Sequence, residues 1–267
     1  MALLNLGILA HVDAGKTSLT ERLLYDAAVI DQVGSVDDGS TQTDSLALER
    51  RRGITIKSAV VSFTVDDLTV NLVDTPGHPD FIAEVERVLG VLDGAVLVVS
   101  AVEGVQAQTR VLMRTLRRLR IPTLIFVNKV DRRGARIGAV LDEITTRLTP
   151  DVVTMGSVRR AGSRAVEVVP GTDPVLADKL TEHDDDLLSA LVGGETVDLD
   201  RELAAQSRRG LVHPVFFGLA ITGAGVAELS AGLTRLLPVA AEDSHGPLSA
   251  TVFKVERGAA GEKIAYA

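Results

Sequence analysis

An apolar run, Leu3–Ala10, ends in Ala10-His-Val-Asp-Ala-Gly15-Lys16-Thr17, after which Leu19, Leu23 and Leu24 recur at helical spacing. A strand that breaks into a turn of small residues and re-emerges as a helix presents backbone N–H groups at the helix start, where they wrap phosphate. This feature narrows the fold of the chain more than any other. Ala10, His11, Val12, Asp13, Ala14, Gly15 and Ser18 are expected to line such a phosphate site. Lys16 would reach the β and γ oxygens and Thr17 would ligate magnesium. The first loop position is Ala where Gly is usual, and taken alone the segment also fits a plain polar turn.

Three further segments follow in an order that the first one demands. Asp74-Thr-Pro-Gly77-His78 comes directly after an apolar strand, so the Asp74 carboxylate can hold magnesium through water, the Gly77 N–H can meet a γ-phosphate, and His78 is a candidate for orienting the attacking water. Asn128-Lys129-Val-Asp131 follows the apolar run Leu124–Val127. An ionised Asp131 accepts the two adjacent donors of guanine, a pair that adenine lacks, while Asn128 braces the site and the Lys129 stem packs along the base. Arg52-Gly53-Ile54-Thr55 lies in a turn-rich stretch, where the Thr55 hydroxyl would complete the magnesium shell only when a γ-phosphate is present. Lys16 and Thr55 are 39 residues apart, Lys16 and Asp74 are 58, and Asp74 and Asp131 are 57. Each motif falls at a strand end or just beyond a loop, where doubly wound sheets bind ligands. Order and spacing together predict a GTPase.

The hydropathy pattern agrees. Val60–Val65 and Leu68–Val73 alternate around Asp66-Asp67 as a hairpin, and Ala95–Val99 and Leu124–Val127 are continuous apolar runs that suit strands covered on both faces. Val111, Leu112, Thr115, Leu116 and Leu119 mark one helix face between them. The expected fold is α/β: a P-loop NTPase with a doubly wound, mostly parallel six-stranded sheet carrying one antiparallel strand. From Thr149 to about Leu211 the pattern degrades and reads as an insertion. Val215–Gly218 then resumes a strand, and Val226–Leu237 a helix. Residues 1–237 are thus expected to form one domain, 238–247 a linker, and 248–267 the opening strands of a β-barrel cut short.

Composition removes other classes. The 267 residues contain no cysteine, which excludes disulfide partners, thiolate metal sites and cysteine nucleophiles and fits a reducing, cytoplasmic setting. A net charge of −8 argues against sequence-blind coating of nucleic acid but leaves room for a local basic patch. Arg110, Arg114 and Arg117 share a helix face that either touches RNA or is merely solvated, and Glu49-Arg50-Arg51-Arg52 has the same two readings. No apolar run approaches membrane-spanning length, so no membrane partner is expected. Aromatics make up only 3%, so the core must be built from Ala, Val, Leu and Ile.

At these motifs the chain resembles the translational GTPases, above all the tetracycline-resistance ribosomal protection proteins, relatives of elongation factor G. The stretches that carry the likeness are Ala10–Leu24, Gly39–Ser62, Val73–Val91, Gly104–Arg110 and Ile121–Asp131. The resemblance implies a G domain, a normal Ala10, a His78 that orders the hydrolytic water when the ribosome engages, and an Asp13 that helps bind a monovalent cation beside the magnesium. The 87-residue gap from Asp131 to Gly218 and the Ala107-Gln-Thr109 triplet are similar to the protection type. Where the family carries a Ser-Ala pair, this chain has Gly218-Leu219-Ala220. The Ala220 N–H would still meet guanine O6, but Leu219 has no hydroxyl to brace Asp131, a loss of about 0.5–1.5 kcal/mol.

The resulting expectation is a monomeric, ribosome-stimulated GTPase that turns GTP into GDP and phosphate and releases tetracycline from the ribosome. Lys16, Gly77, His78 and Thr55 carry the catalysis. The alternatives are a translocation GTPase of the elongation factor G type and a GTP-gated binding module with negligible hydrolysis.

Overall fold

The run Ala2–Ala10 forms the central strand β1 of the computed structural model, which describes residues 2–34, 59–65, 67–74, 88–241, 252–257 and 261–266. Along β1, Leu4, Leu6, Ile8 and Ala10 enter one apolar layer and Leu9 the other. The same division recurs in β4 (Gly94–Ser100), where Val96 and Val98 oppose Ala95, Leu97 and Val99. It recurs again in β5 (Thr123–Asn128), where Leu124 and Phe126 oppose Ile125 and Val127. Side chains alternate across a strand, so an unbroken apolar run buries both faces and demands helices on each side.

Those helices are present. On one face lie α1 (Lys16–Asp26), through Leu19, Leu23 and Leu24, and the last helix (Val226–Leu236), through Val226, Leu229, Leu233 and Leu236. On the other lie α2 (Ala107–Arg118) and α3 (Ile137–Arg147), through Leu112, Met113, Leu116, Val140 and Ile144. The expected apolar face of α2 needs correcting: Val111 and Leu119 are 44% and 43% exposed. The buried stripe is Thr109, Leu112, Met113 and Leu116, the set that repeats at three and four residues.

The sheet contains eight strands among the described residues, where six were expected. Strands β2 (Ala59–Val65) and β3 (Leu68–Asp74) form the predicted hairpin, and β9 is His213–Phe217, beginning two residues before the expected strand. One additional strand, β6 (Val152–Thr154), comes from the insertion and lies parallel to β9. The other, β10 (Ala240–Ala241), pairs antiparallel with Ala2 and Leu3 of β1, so the start of the expected linker is sheet. Two or three residues carry too little periodicity to be read as strands from sequence. The order is β2-β3-β1-β4-β5-β9-β6, with only β2 and β10 antiparallel to their neighbours. β1 takes β3 on one side and β4 on the other, so its carboxyl end lies where the winding reverses.

Residues 149–211, read from sequence as an insertion, are built from regular elements. They form β6, the hairpin β7 (Gly156–Arg159) and β8 (Glu167–Pro170), and three helices, α4 (Leu176–Thr181), α5 (Asp185–Val192) and α6 (Leu199–Arg208). Leu176, Leu180, Leu187 and Leu203 join the core on the α1 face, beside the last helix, α7. Asp184 and Asp198 cap α5 and α6 by accepting the N–H groups of Leu187 and Arg201. In the expected barrel start, β11 (Lys254–Arg257) and β12 (Lys263–Tyr266) make an antiparallel pair, and Phe253 packs with Val73 and Val88.

His213 at the start of β9 is fully buried and donates from Nδ1 to the Thr123 carbonyl at 3.2 Å. Burial, opposed only in part by that hydrogen bond, lowers its pKa from 6.5 to about 4. A histidine whose folded pKa is depressed stabilises the fold fully above the unfolded value and loses that contribution as pH falls. The unfolding free energy measured in urea should therefore drop between pH 6.5 and 4, by up to about 3 kcal/mol from this group. A His213→Gln variant should show a shallower acid slope than the parent.

Candidate nucleotide site

Three loops meet at the carboxyl ends of β1, β5 and β9. The first is the loop expected to hold phosphate. Ala14 N–H donates back to the His11 carbonyl at 3.2 Å, and Asp13 and Gly15 take positive φ of 63° and 97°. Gly15 is required: an added Cβ would run into Asn128 Nδ2, in a conformation that L side chains avoid. Helix α1 starts immediately afterwards, with Lys16 and Thr17 buried in its first turn. Val12 and Asp13 are exposed, and Ser18 is half-buried.

The second loop follows β5. Asn128 is only 3% exposed, and its amide joins all three loops. Nδ2 donates to the Ala14 carbonyl at 2.9 Å, and Oδ1 accepts from the Ala220 N–H at 3.0 Å. The Ala220 N–H, expected to meet guanine O6, is donated to Asn128. Lys129 takes a positive φ of 63°, and Asp131 is half-buried next to it. The β7–β8 hairpin reaches this loop, with Gly162 N–H donating to the Val130 carbonyl at 2.8 Å.

The third loop is Gly218–Gly225. A Cβ at Gly218 would meet the Ala224 carbonyl at 2.5 Å and the Phe126 ring at 2.6 Å, which explains the glycine. Leu219 is buried in the apolar layer under α2 and α3, and its N–H donates to the Ala224 carbonyl at 2.9 Å. Leu219 thus contributes packing, where a hydroxyl would have offered a hydrogen bond. Arg22 of α1 clamps this loop from below, through the carbonyls of Ala220 and Ile221, with its guanidinium 5.2 Å from the Tyr25 ring centre.

A polar cluster beneath the first two loops joins His11 and Lys129 of the motifs to Glu103, which no motif includes. Glu103 sits between His11 Nε2 at 3.7 Å and Lys129 Nζ at 3.5 Å. His11 Nδ1 is 3.0 Å from Thr109 Oγ1, which also accepts the Gln106 N–H at the start of α2. Burial holds the His11 ring below its ordinary pKa against the pull of Glu103. Burial would raise the Glu103 carboxyl, but the Ser100 hydroxyl, Lys129 and His11 together hold it below the usual range. Glu103 and Arg22 had no local signal. Glu103 meets His11 and Lys129, 92 and 26 residues away in sequence, and Arg22 holds carbonyls 198 and 199 residues away.

Asp74 ends β3 and pairs in register with Ile8, two residues before Ala10. Thr55, Gly77 and His78 lie outside the described residues. Among the described residues, no three His, Cys, Asp or Glu side chains form a metal-holding group, and no helix is long and apolar enough to cross a membrane.

The arrangement is similar to known proteins. A family model described as the elongation factor Tu GTP binding domain matches residues 1–239. The oxytetracycline resistance protein of Streptomyces rimosus is 62% identical, across 98% of this chain and 41% of that protein. The tetracycline resistance protein TetM of Streptomyces lividans is 54% identical, across 100% of this chain and 43% of its own length. The chain therefore spans about two fifths of the curated relatives it matches. A crystal structure of a Thermus thermophilus protein superposes with a TM-score of 0.85 at 26% identity, covering 98% of this chain and 44% of that one.

Replacing Asn128 by Ala would strand the buried Ala14 carbonyl and Ala220 N–H together. Equilibrium urea unfolding should register a loss of about 2–4 kcal/mol. Nucleotide affinity should fall in the same variant, because the phosphate and base loops lose their shared tie.

Proposed function

The chain belongs to the elongation factor Tu GTP binding domain family, and on that premise we propose that it is the GTP-hydrolysing portion of a ribosome-stimulated factor of the tetracycline-protection type. The observation that carries the reading is the convergence at Asn128, where one buried amide ties the phosphate loop to the loop after β9. In this reading phosphate and base recognition share one end of the sheet. The names of the Streptomyces relatives favour tetracycline protection over translocation.

In this reading the guanine is selected by the Asp131 carboxylate, which accepts both of its adjacent donors. Lys16 meets the β and γ oxygens from the start of α1, and Ala10–Ser18 wrap the phosphates. Gly15 suits that task because the space a Cβ would fill is already closed by Asn128. The Thr17 hydroxyl, the Asp74 carboxylate at the neighbouring strand end and the Thr55 hydroxyl make an all-oxygen donor set for magnesium. Magnesium, when bound, neutralises charge on the phosphate oxygens. The Gly77 N–H contacts the γ-phosphate, and His78 holds the water for in-line attack, which yields GDP and inorganic phosphate. With no arginine assigned to the transferred group, hydrolysis by the chain itself is slow and the ribosome accelerates it.

Single-turnover hydrolysis of GTP, with and without ribosomes, tests the proposal. Acceleration is expected, and its absence would leave a nucleotide-gated binding module. His78→Ala should bind GTP as the parent does and lose the ribosomal acceleration. Undiminished acceleration would remove His78 from the mechanism. Asp131→Asn exchanges an acceptor-only group for a mixed donor and acceptor, so competition assays should show xanthine nucleotides preferred over guanine.

A further inference from the structure

Away from the nucleotide site, α2 and α3 enclose a groove of about 430 Å³ lined by Arg110, Arg114, Arg117, Arg118, Arg147 and Leu148. Five guanidinium groups gather there in a chain whose net charge is −8. Part of this collection has an internal cause. Arg117, Arg118 and Arg147 occupy the last turns of α2 and α3, where the helix dipoles favour positive charge. Arg117 also donates to the Leu148 carbonyl at 3.3 Å, and Arg147 pairs with Glu143 at 3.4 Å.

Arg110 and Arg114 have no such cause. Arg110 lies one turn into α2, on the side of the helix where its dipole disfavours a cation, and no acidic residue occupies that first turn. Both side chains are exposed, and among the described residues neither has a hydrogen-bond or ion-pair partner. The two are one helical turn apart, a rise of about 6 Å, and Arg117 and Arg118 continue the row. Such a row suits a polymer with oxyanions at regular intervals, and the planar arginine fork matches phosphate in a bidentate way. The lining contains no aromatic ring, so the groove has no platform on which unpaired bases could stack. Its chemistry addresses a backbone alone, as in the shape recognition of double-stranded RNA.

We infer that the α2–α3 groove is a docking face for the phosphate backbone of duplex RNA, with Arg110 and Arg114 as its uncompensated contacts. The choice of RNA rests on the ribosome reading above; the choice of a phosphate backbone rests on the groove.

The test is a fluorescence-anisotropy titration of the chain with a 16-base-pair RNA duplex at several salt concentrations. R110E/R114E should bind about tenfold more weakly or worse, and the slope of log affinity against log salt should shrink by about 2. R201E/R209E, which makes the same charge change elsewhere on the surface, should bind as the parent does. Intrinsic GTP hydrolysis should be unchanged in both. Equal RNA binding by the two double variants, or no binding by the parent, would overturn the inference. So would polyglutamate displacing the duplex as well as unlabelled RNA does, which would mark the groove as a seat for an acidic protein. Ribosome-stimulated hydrolysis measured alongside keeps the two readings apart. A parent that ribosomes do not accelerate loses the ribosome reading, while a parent that is accelerated together with an R110E/R114E variant of unaltered RNA affinity loses only the groove.

Discussion

The carboxamide of Asn128 is the point on which the site depends. Its nitrogen and oxygen are spent on two backbone groups from loops 114 and 92 residues away in sequence. A buried amide left half-paired is costly, so both bonds must form together or the loops must separate. The parallel sheet makes this possible. β1, β5 and β9 all end on the same edge, so the loops leaving them meet without any long connection. Gly15 and Gly218 are small because this meeting leaves no room for a side chain.

Around that tie the structure layers weaker supports. Arg22 holds the carbonyls of the third loop from α1, and Glu103 stands between His11 and Lys129. Glu103 is partly exposed, so the value of its two ion pairs lies in orientation more than in stability. Through Thr109 and Gln106 the same cluster reaches the first turn of α2, the helix that presents the arginine row at its surface. One helix therefore borders the phosphate loop at its start and a basic groove along its length.

The residues between Thr149 and Leu211 are part of this structure in a physical sense. Leu176, Leu180, Leu187 and Leu203 complete the apolar layer on the α1 side, β6 lengthens the main sheet, and the β7–β8 hairpin hydrogen-bonds the loop that carries Asp131. Asp and Gly residues that interrupt its hydropathy pattern serve caps and turns: Asp184 and Asp198 begin helices, and Gly156 and Gly162 take positive φ in and beside the hairpin.

Wherever the causes were local, the sequence by itself determined the outcome. Apolar runs covered on both faces marked β1, β4 and β5, since alternation along a strand forces burial on each side. The strand–turn–helix break at Gly15 and the turn after Asn128 were legible because backbone geometry there demands particular residues at fixed spacing. What only the tertiary structure decided are the short strands β6 and β10, the buried stripe of α2 shifted off Val111, the fate of the Ala220 N–H, and the roles of Glu103 and Arg22. The two strands are too short to carry a period. The others depend on what faces a residue across the fold, and a hydrogen bond spanning some hundred residues leaves no trace in the neighbouring amino acids.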